Sequence, residues 1–257
     1  MRAIFDTHVH YDDEAFDEDR DELIAALPAG GVEKAVDVGA SLDSCKKALE
    51  LAHAYDHVYC ALGIHPEEVY DLDDDGYEWL SRNITDSKCV AVGEIGLDYH
   101  WKDTAPGEQK DAFIRQLKLA KGAGMPVVIH SRDAAKDTAD ILKEYHDGNG
   151  VIHCFSYSKE MALEFISMGY YIGIGGVLTY KNARKLVEAV EAVPMEHIVL
   201  ETDGPYLSPE PLRGKRNDSH NIKYVIERMA EIKGISEEEV REHAWINAHR
   251  LYGIKEN

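Results

Sequence analysis

Basic residues are scarce in this chain of 257 residues. Lysine and arginine together number 28, against 48 aspartate and glutamate residues, which gives a formal net charge of −20 at pH 7. An extended basic groove, of the kind that grips long polyanions, is therefore excluded. The excess of carboxylates indicates a solvated and strongly acidic surface.

Long apolar runs and paired cysteines are also missing. No hydrophobic run approaches the roughly 20 residues of a membrane helix, and no basic-then-apolar leader opens the sequence. Four cysteines occur without C-x-x-C spacing, so we expect reduced thiols rather than a disulfide framework or a zinc ribbon. We expect a cytoplasmic protein with no membrane association and no obligate protein partner.

Short and almost continuously apolar segments recur along the chain, as is typical of strands buried on both faces. Helical patterns separate most of them; Asn182 is the expected N-cap of one helix, and Ser236 is the expected start of the last. Eight such strands predict a (β/α)8 TIM barrel in one domain spanning residues 1–257, with a doubly wound sheet as the alternative. The predicted strands lie near residues 3–9, 32–39, 57–64, 89–97, 126–131, 150–155, 170–177 and 197–203.

Metal-binding residue types stand at the ends of these strands. His8 and His10 are two residues apart in the first strand, so their imidazoles point to the same side and can hold one divalent ion. In a barrel the carboxyl ends of all strands meet at one face, where active sites lie. Further candidates reach the same face from four other strands: Glu94, His130, His153 and Asp203.

This set is large enough for two divalent ions. We expect one ion on His8, His10 and Asp203, a second on His130 and His153, and Glu94 as a bridge between them. Ions about 3.5–4 Å apart suit hydrolysis of phosphate esters, because they polarise a phosphoryl oxygen and deprotonate a shared water. Asp203 is the expected acceptor of a proton from that water, so Asp203 and Glu94 are the predicted catalytic residues. Mg²⁺, Mn²⁺ and Zn²⁺ all remain open as the resident ion.

The blocks around these residues resemble the TatD family of metal-dependent deoxyribonucleases. They follow the family order from end to end: His8-Val9-His10, Gly63-Ile64-His65-Pro66, the segment GEIGLDY from Gly93, HSRDAAKDTADIL from His130, His153-Cys154-Phe155-Ser156, and ETDGPYLSP from Glu201 to RGKRN at Asn217. The resemblance implies a TIM barrel of the amidohydrolase type, a divalent-metal centre on the same six ligands, and hydrolysis of DNA phosphodiesters, often as an exonuclease. The family commonly has Ser where Gly204 stands and Glu-Pro where Asp218-Ser219 stands, which puts substrate preference in more doubt than metal binding.

Four further side chains are predicted to bind substrate. His65 lies at the mouth of the third strand, and Arg132 follows a predicted ligand by two residues. Arg213 and Arg216, with Lys215 between them, form the densest basic cluster of the chain and are candidates for contacts to backbone phosphates. Aromatic residues near the strand ends, Tyr99, Trp101 and Tyr206, are candidates for stacking on bases, although packing is the more common role of such residues. Cys154 is expected to face away from the site.

The sequence therefore predicts a metal-dependent hydrolase of DNA that acts on single-stranded or frayed ends. Two alternatives remain open. One is an amide or ester hydrolase of the same superfamily acting on a small molecule, against which the RGKRN cluster argues. The other is a catalytically silent metal-binding regulatory protein, against which the complete ligand set argues.

Overall fold

The computed structural model describes residues 2–101 and 103–255. Eight strands form one parallel sheet in the order in which they occur along the chain. They are β1 (Ile4–Val9), β2 (Val32–Val38), β3 (Val58–Leu62), β4 (Cys89–Asp98), β5 (Val127–Arg132), β6 (Gly150–Ile152), β7 (Tyr170–Ile174) and β8 (Ile198–Leu200).

Helices connect successive strands, and two helices follow β8. They are α1 (Arg20–Ala26), α2 (Leu42–Ala54), α3 (Asp74–Asn83), α4 (Pro106–Ala123), α5 (Ala135–Tyr145), α6 (Lys159–Ser167), α7 (Arg184–Ala192), α8 (Ile222–Lys233) and α9 (Glu237–Tyr252). Short 3-10 helices cover Glu14–Phe16, Pro28–Gly30, Val69–Leu72, Gly176–Thr179, Met195–His197 and Ser219–Asn221.

The sheet closes because β1 and the segment after β8 are joined by backbone hydrogen bonds. The His10 amide donates to the Gly204 carbonyl over 2.7 Å, and the Asp203 amide donates to the His8 carbonyl over 2.9 Å. The predicted eight-stranded barrel with alternating helices is thereby confirmed. Strands β6 and β8 are shorter than predicted, so His153 and Asp203 follow their strands instead of lying within them.

The apolar core has two parts, which explains why the strands are apolar on both faces. The larger part lies between the strands and the surrounding helices. The smaller part lies inside the barrel, where Val36, Val128 and Val199 pack together with residues of α9. Trp245 and Tyr252 of α9 contact the Phe5 ring with centroid separations of 6.2 and 6.0 Å. Helix α9 therefore covers the amino-terminal end of the barrel and leaves the carboxyl-terminal end for the site.

The two expected helix starts have different outcomes. Ser236 is the N-cap of α9, and its hydroxyl accepts a hydrogen bond from the Glu239 amide in a capping box. The prediction for Asn182 is wrong, because α7 begins at Arg184 with Ala183 as an N-cap that makes no side-chain bond.

Across residues 2–101 and 103–255, no helix is both long and apolar enough to cross a membrane.

Candidate metal centre

The six predicted metal ligands lie together at the carboxyl-terminal mouth of the barrel. Side chains two residues apart in a strand point to the same face of the sheet. His130 therefore points to the inner face together with Val128, and His153 does so together with Val151. Glu94 and His8 are almost fully buried, with 3% and 1% exposure. The other members reach the cluster from the end of β1, from β5 and from the ends of β6 and β8: His10, His130, His153 and Asp203.

Four candidate ligand atoms surround one position at the end of β1. The Nε2 atoms of His8 and His10 are 3.1 Å apart, and Glu94 Oε2 lies 3.5 and 3.8 Å from them. Asp203 Oδ1 lies 3.8 Å from His8 Nε2 and 3.4 Å from His10 Nε2. Ligand atoms bound tetrahedrally at 2.0–2.2 Å from an ion are themselves about 3.4 Å apart. The spacing of these atoms therefore fits a divalent cation.

The second carboxylate oxygen of Glu94 faces a different set of donors. Glu94 Oε1 lies 2.7 Å from His130 Nδ1 and 3.3 Å from His153 Nε2. His65 Nε2 is farther away, at 4.0 Å from the same oxygen. One carboxylate thus connects two groups of imidazoles, which is the arrangement of a carboxylate that bridges two ions.

Two of the imidazoles are oriented by a hydrogen bond from the outer nitrogen, and the outer nitrogen of a third faces a carboxylate. His10 Nδ1 donates to the Val38 carbonyl over 2.7 Å, and His130 Nε2 donates to Asp98 Oδ2 over 2.9 Å. His153 Nδ1 lies 3.3 Å from Glu201 Oε1. An acceptor on the outer nitrogen places the proton there and leaves the inner lone pair for a metal. The hydrogen-bond pattern therefore fits metal ligation as well as the distances do.

The carboxylates of this cluster stabilise positive charge on the rings beside them. Burial lowers the pKa of His10, but the hydrogen bond and charge of Asp203 raise it to about 10. Burial also lowers the pKa of His153, while the charges of Glu94 and Glu201 raise it to about 9. Burial raises the pKa of Glu94, but the charges of His153 and His130 hold it well below its usual range. A cleft that favours cationic groups in this way suits a divalent ion.

Glu201 is a buried carboxylate that the sequence reasoning did not select. It lies two residues beyond Val199 and points into the barrel, where a Cβ atom on Gly173 would stand 2.2 Å from Glu201 Oε2. Its Oε1 accepts the Cys154 amide over 2.5 Å. Its Oε2, together with the Nδ1 atoms of His8 and His153, is buried and has no hydrogen-bond partner among the residues that the structure describes. The two-residue spacing from Val199 is the signal that identifies Glu201 as an interior residue.

Asp98 is the second carboxylate that was missed, although it belongs to the GEIGLDY block. Burial raises its pKa, but the hydrogen bond from His130 and the amides of Trp101 and His100 lower it to about 2. Gln109 of α4 holds its backbone, accepting the Asp98 amide and donating to the Asp98 carbonyl, both over 2.8 Å. Asp98 therefore stays ionised beside His130 and fixes the tautomer of that ring.

The prediction that Cys154 faces away from the site is wrong. Its sulfur lies within 4.8 Å of a ligand atom of His153 and of Asp203. Strand β6 ends at Ile152, and Cys154 adopts a left-handed conformation with φ 45°, so strand alternation no longer sets the direction of its side chain.

A cavity of about 740 Å³ opens above the cluster. Two of the predicted substrate-binding residues, His65 and Arg132, line it, whereas Arg213 and Arg216 are not among its lining residues. Arg216 instead forms a bidentate ion pair with Asp19, with both N···O distances 2.6 Å. The Arg213 guanidinium lies 4.4 Å from the centre of the Tyr180 ring. Substrate contacts by these four residues stay predictions.

The two departures from the family pattern lie next to the first donor set. Gly204 pairs with Val9 where the barrel closes. The Ser219 hydroxyl donates to Asp6 Oδ2 over 2.6 Å, and Asp6 Oδ1 accepts the His8 amide over 3.2 Å. Burial raises the pKa of Asp6 to about 7, against the lowering effect of the Ser219 and Thr202 hydroxyls. Ser219 therefore supports the backbone that carries His8, so the departure leaves the ligand in place.

Comparisons with known proteins agree over nearly the whole chain. The profile of a family described as TatD related DNase matches residues 5–253. The metal-dependent hydrolase YabD of Bacillus subtilis, whose function is uncharacterised, is 40% identical across 98% of this chain and 99% of its own length. A protein of Cronobacter sakazakii named 3'-5' ssDNA/RNA exonuclease TatD is 31% identical, covering 95% of this chain and 94% of its own.

A solved structure agrees with the sequence relatives. The crystal structure of YjjV, a TatD homologue from Escherichia coli K12, superposes with a TM-score of 0.93, 31% identity and 98% coverage of both chains. The fold and the relatives thus point to one family. This chain belongs to the TatD-related DNase family of metal-dependent hydrolases.

Proposed function

We propose that this protein hydrolyses DNA phosphodiester bonds at single-stranded or frayed ends, with two divalent ions held by the six clustered ligands. The observation that carries the proposal is the placement of Glu94, whose two oxygens face two separate sets of imidazoles. The relative named as a 3'-5' ssDNA/RNA exonuclease supports the choice of substrate class. Divalent ions supply positive charge that polarises a phosphoryl oxygen and makes a water acidic.

The protein's own side chains have distinct tasks in this reaction. Asp203 lies at the border between the first donor set and the cavity, with 16% of its side chain exposed, and accepts the proton of the attacking water. The water oxygen forms a bond to phosphorus while the bond to the leaving nucleoside oxygen breaks. Arg132 at the cavity wall is placed to contact a phosphate oxygen. His65, whose pKa is lowered to about 3 by burial and by His130, is neutral and offers a hydrogen bond instead of a charge.

A second candidate function follows from the acidity of the cavity. Its wall includes Asp12, Asp13, Glu67 and Glu68 beside the cation Arg132. Such a wall repels a polyanion and favours a small neutral substrate, which an amide or ester hydrolase would use. A metal-binding protein without catalysis is the third possibility, and it predicts no turnover of any substrate.

One panel of assays separates these functions. Single-stranded DNA, nicked duplex DNA, single-stranded RNA, a simple aliphatic-aryl phosphodiester and a set of lactones and amides are each incubated with and without Mg²⁺, Mn²⁺ or Zn²⁺. The proposal expects metal-dependent release of nucleotides from single strands faster than from nicked duplex. Turnover of a lactone or amide without turnover of nucleic acid would establish the second function, and no turnover would establish the third.

A further inference from the structure

Two exposed aromatic rings stand beside the metal cavity of a protein whose surface is otherwise strongly acidic. Trp101 is 49% exposed and Tyr206 is 53% exposed, and both line the cavity that contains Glu94 and Asp203. Tyr70, another exposed aromatic residue at 69%, is not among the lining residues. Large exposed aromatic side chains next to a catalytic cluster are a feature of binding surfaces.

The two rings lie on opposite sides of the mouth. Trp101 belongs to the loop between β4 and α4, and Tyr206 to the segment after β8. Because the eight strands follow chain order around a closed barrel, β4 and β8 are four strands apart in either direction. A chain that passes over the metal cluster from one of these loops to the other therefore meets one ring on each side of the cluster.

Each ring is held by its neighbours while about half of the residue's surface stays exposed. The Arg132 guanidinium lies 5.6 Å from the centre of the Trp101 ring, and the His100 ring lies 4.9 Å from it. The Tyr206 hydroxyl donates to Asp13 Oδ2 over 2.7 Å. The Tyr206 ring centre is 6.3 Å from that of His10, a ligand of the first donor set. These contacts reduce the conformational freedom that each ring would lose on binding.

The geometry points to Trp101 and Tyr206 as a pair of stacking platforms that hold the bases on either side of the scissile phosphate of a single strand. The inference rests on the proposed nuclease function and names the residues that select its substrate. Stacking on an aromatic ring requires no positive charge, so it supplies affinity where the carboxylates of the cavity wall weaken phosphate contacts. A base inside a duplex is stacked on both faces and paired along one edge, so only unpaired nucleotides can bind to both aromatic rings.

Abasic nucleotides provide the direct test. Metal-loaded enzyme is assayed for KM with a single-stranded oligonucleotide and with two analogues that carry a tetrahydrofuran abasic residue on one or the other side of the cleaved bond. We expect each abasic residue to raise KM on the order of tenfold for the unmodified protein. In the Trp101→Ala variant, one of the two abasic residues should no longer raise KM. In the Tyr206→Ala variant, the other abasic residue should no longer raise it.

Matched variants separate stacking from loop structure. Trp101→Phe and Tyr206→Phe keep a ring, and the second one loses only the hydrogen bond to Asp13, so both should keep most of the abasic effect. Tyr70→Ala removes an exposed ring away from the cavity and should leave all three KM values unchanged.

The outcomes also distinguish the stacking proposal from the function on which it rests. If cleavage depends on metal but each abasic residue raises KM equally in the unmodified protein and in the alanine variants, the stacking proposal is wrong. The proposed nuclease function is then unaffected. Absence of any oligonucleotide cleavage overturns both. An alanine variant that unfolds would lose circular dichroism as well as activity, and the phenylalanine variants would then decide the question.

Discussion

At the scale of single residues, Glu94 is the side chain on which both donor sets depend. It is 3% exposed and lies against His8, His10, His130 and His153. A buried carboxylate with four imidazoles around it is stabilised by their positive charge or by that of bound cations. Its replacement therefore changes the electrostatics of the whole cluster.

Glu94→Gln should lower the metal content of the protein. The amide keeps the shape of the side chain but removes the negative charge that two cations would share, so the more weakly held ion should be lost first. Metal per chain, measured after gel filtration, should fall together with turnover. Glu68→Gln, the same change at the exposed rim of the cavity, is the control and should retain its metal. Unchanged metal and unchanged turnover in Glu94→Gln would rule out the bridging role.

Asp203→Asn should reduce turnover more than substrate binding. The substitution removes a proton acceptor and a ligand together, and positioned acid–base groups contribute about 10²–10⁴-fold to rate. At saturating metal we expect kcat to fall at least 10²-fold, while the Kd for a single-stranded oligonucleotide changes by much less. If kcat stays near normal under these conditions, Asp203 is not the base.

At the scale of elements, helix α4 lies outside the barrel and fixes the backbone at the carboxyl-terminal ends of two strands, β3 and β4. Gln116 accepts the Ile64 amide over 2.8 Å and donates to the Ile64 carbonyl over 3.0 Å, one residue before His65. Gln109, two turns earlier in α4, makes the equivalent pair of bonds to Asp98 at the end of β4. These buried amides satisfy backbone groups that the sheet leaves unpaired where its strands end.

Gln116→Leu should destabilise the protein, because the amide and carbonyl of Ile64 would stay buried without partners. A buried polar group left without its partner costs about 1–3 kcal/mol. We expect a loss of this size in the free energy of unfolding, measured by urea denaturation with metal present. Asp111→Leu, an exposed position on the same helix, should change it by less than about 0.5 kcal/mol. Equal stability of the two variants would show that Gln116 does not support this strand exit.

At the scale of the whole molecule, charge limits how nucleic acid can be held. The net charge is −20, and the RGKRN cluster does not reach the cavity, since Arg216 pairs with Asp19 and Arg213 lies against Tyr180. Among residues 2–101 and 103–255, Arg132 is the arginine that lines the cavity. The described side chains of the cavity can therefore neutralise few phosphates, and the net negative charge opposes long-range attraction of DNA.

Binding to single strands should consequently depend only weakly on salt. Each phosphate contact on a single strand contributes about −0.7 to the slope of log affinity against log salt, so contacts to a few phosphates give a slope of roughly −2. The slope is measured by fluorescence anisotropy with the metal-loaded Asp203→Asn form and an end-labelled oligonucleotide. A slope several times steeper, or equal cleavage of closed circular duplex, would contradict the restriction to ends and single strands.

The sequence by itself determined the barrel and the identity of the polar side chains that cluster at its carboxyl-terminal mouth. Apolar strands alternating with helical patterns predict a barrel because strands covered by helices are apolar on both faces. Once the barrel is assigned, all carboxyl-terminal strand ends meet at one face, so His8, Glu94, His153 and Asp203 must come together there. This part of the prediction needs only strand order and the residue type at each strand end.

Only the tertiary structure decided which side chains support the ligands. Glu201 lies 3.3 Å from His153 Nδ1, and Asp98 accepts a hydrogen bond from His130, through contacts between strands that are separate in the chain, and no local pattern encodes such pairs. Cys154 turned towards the site because β6 ends before it and its backbone is left-handed. Arg216 was drawn to Asp19, which lies 197 residues away in sequence. Strand periodicity depends on neighbours in the chain, so it can be read directly from the sequence. Side-chain partners depend on distances across the folded structure, so they cannot be read in this way.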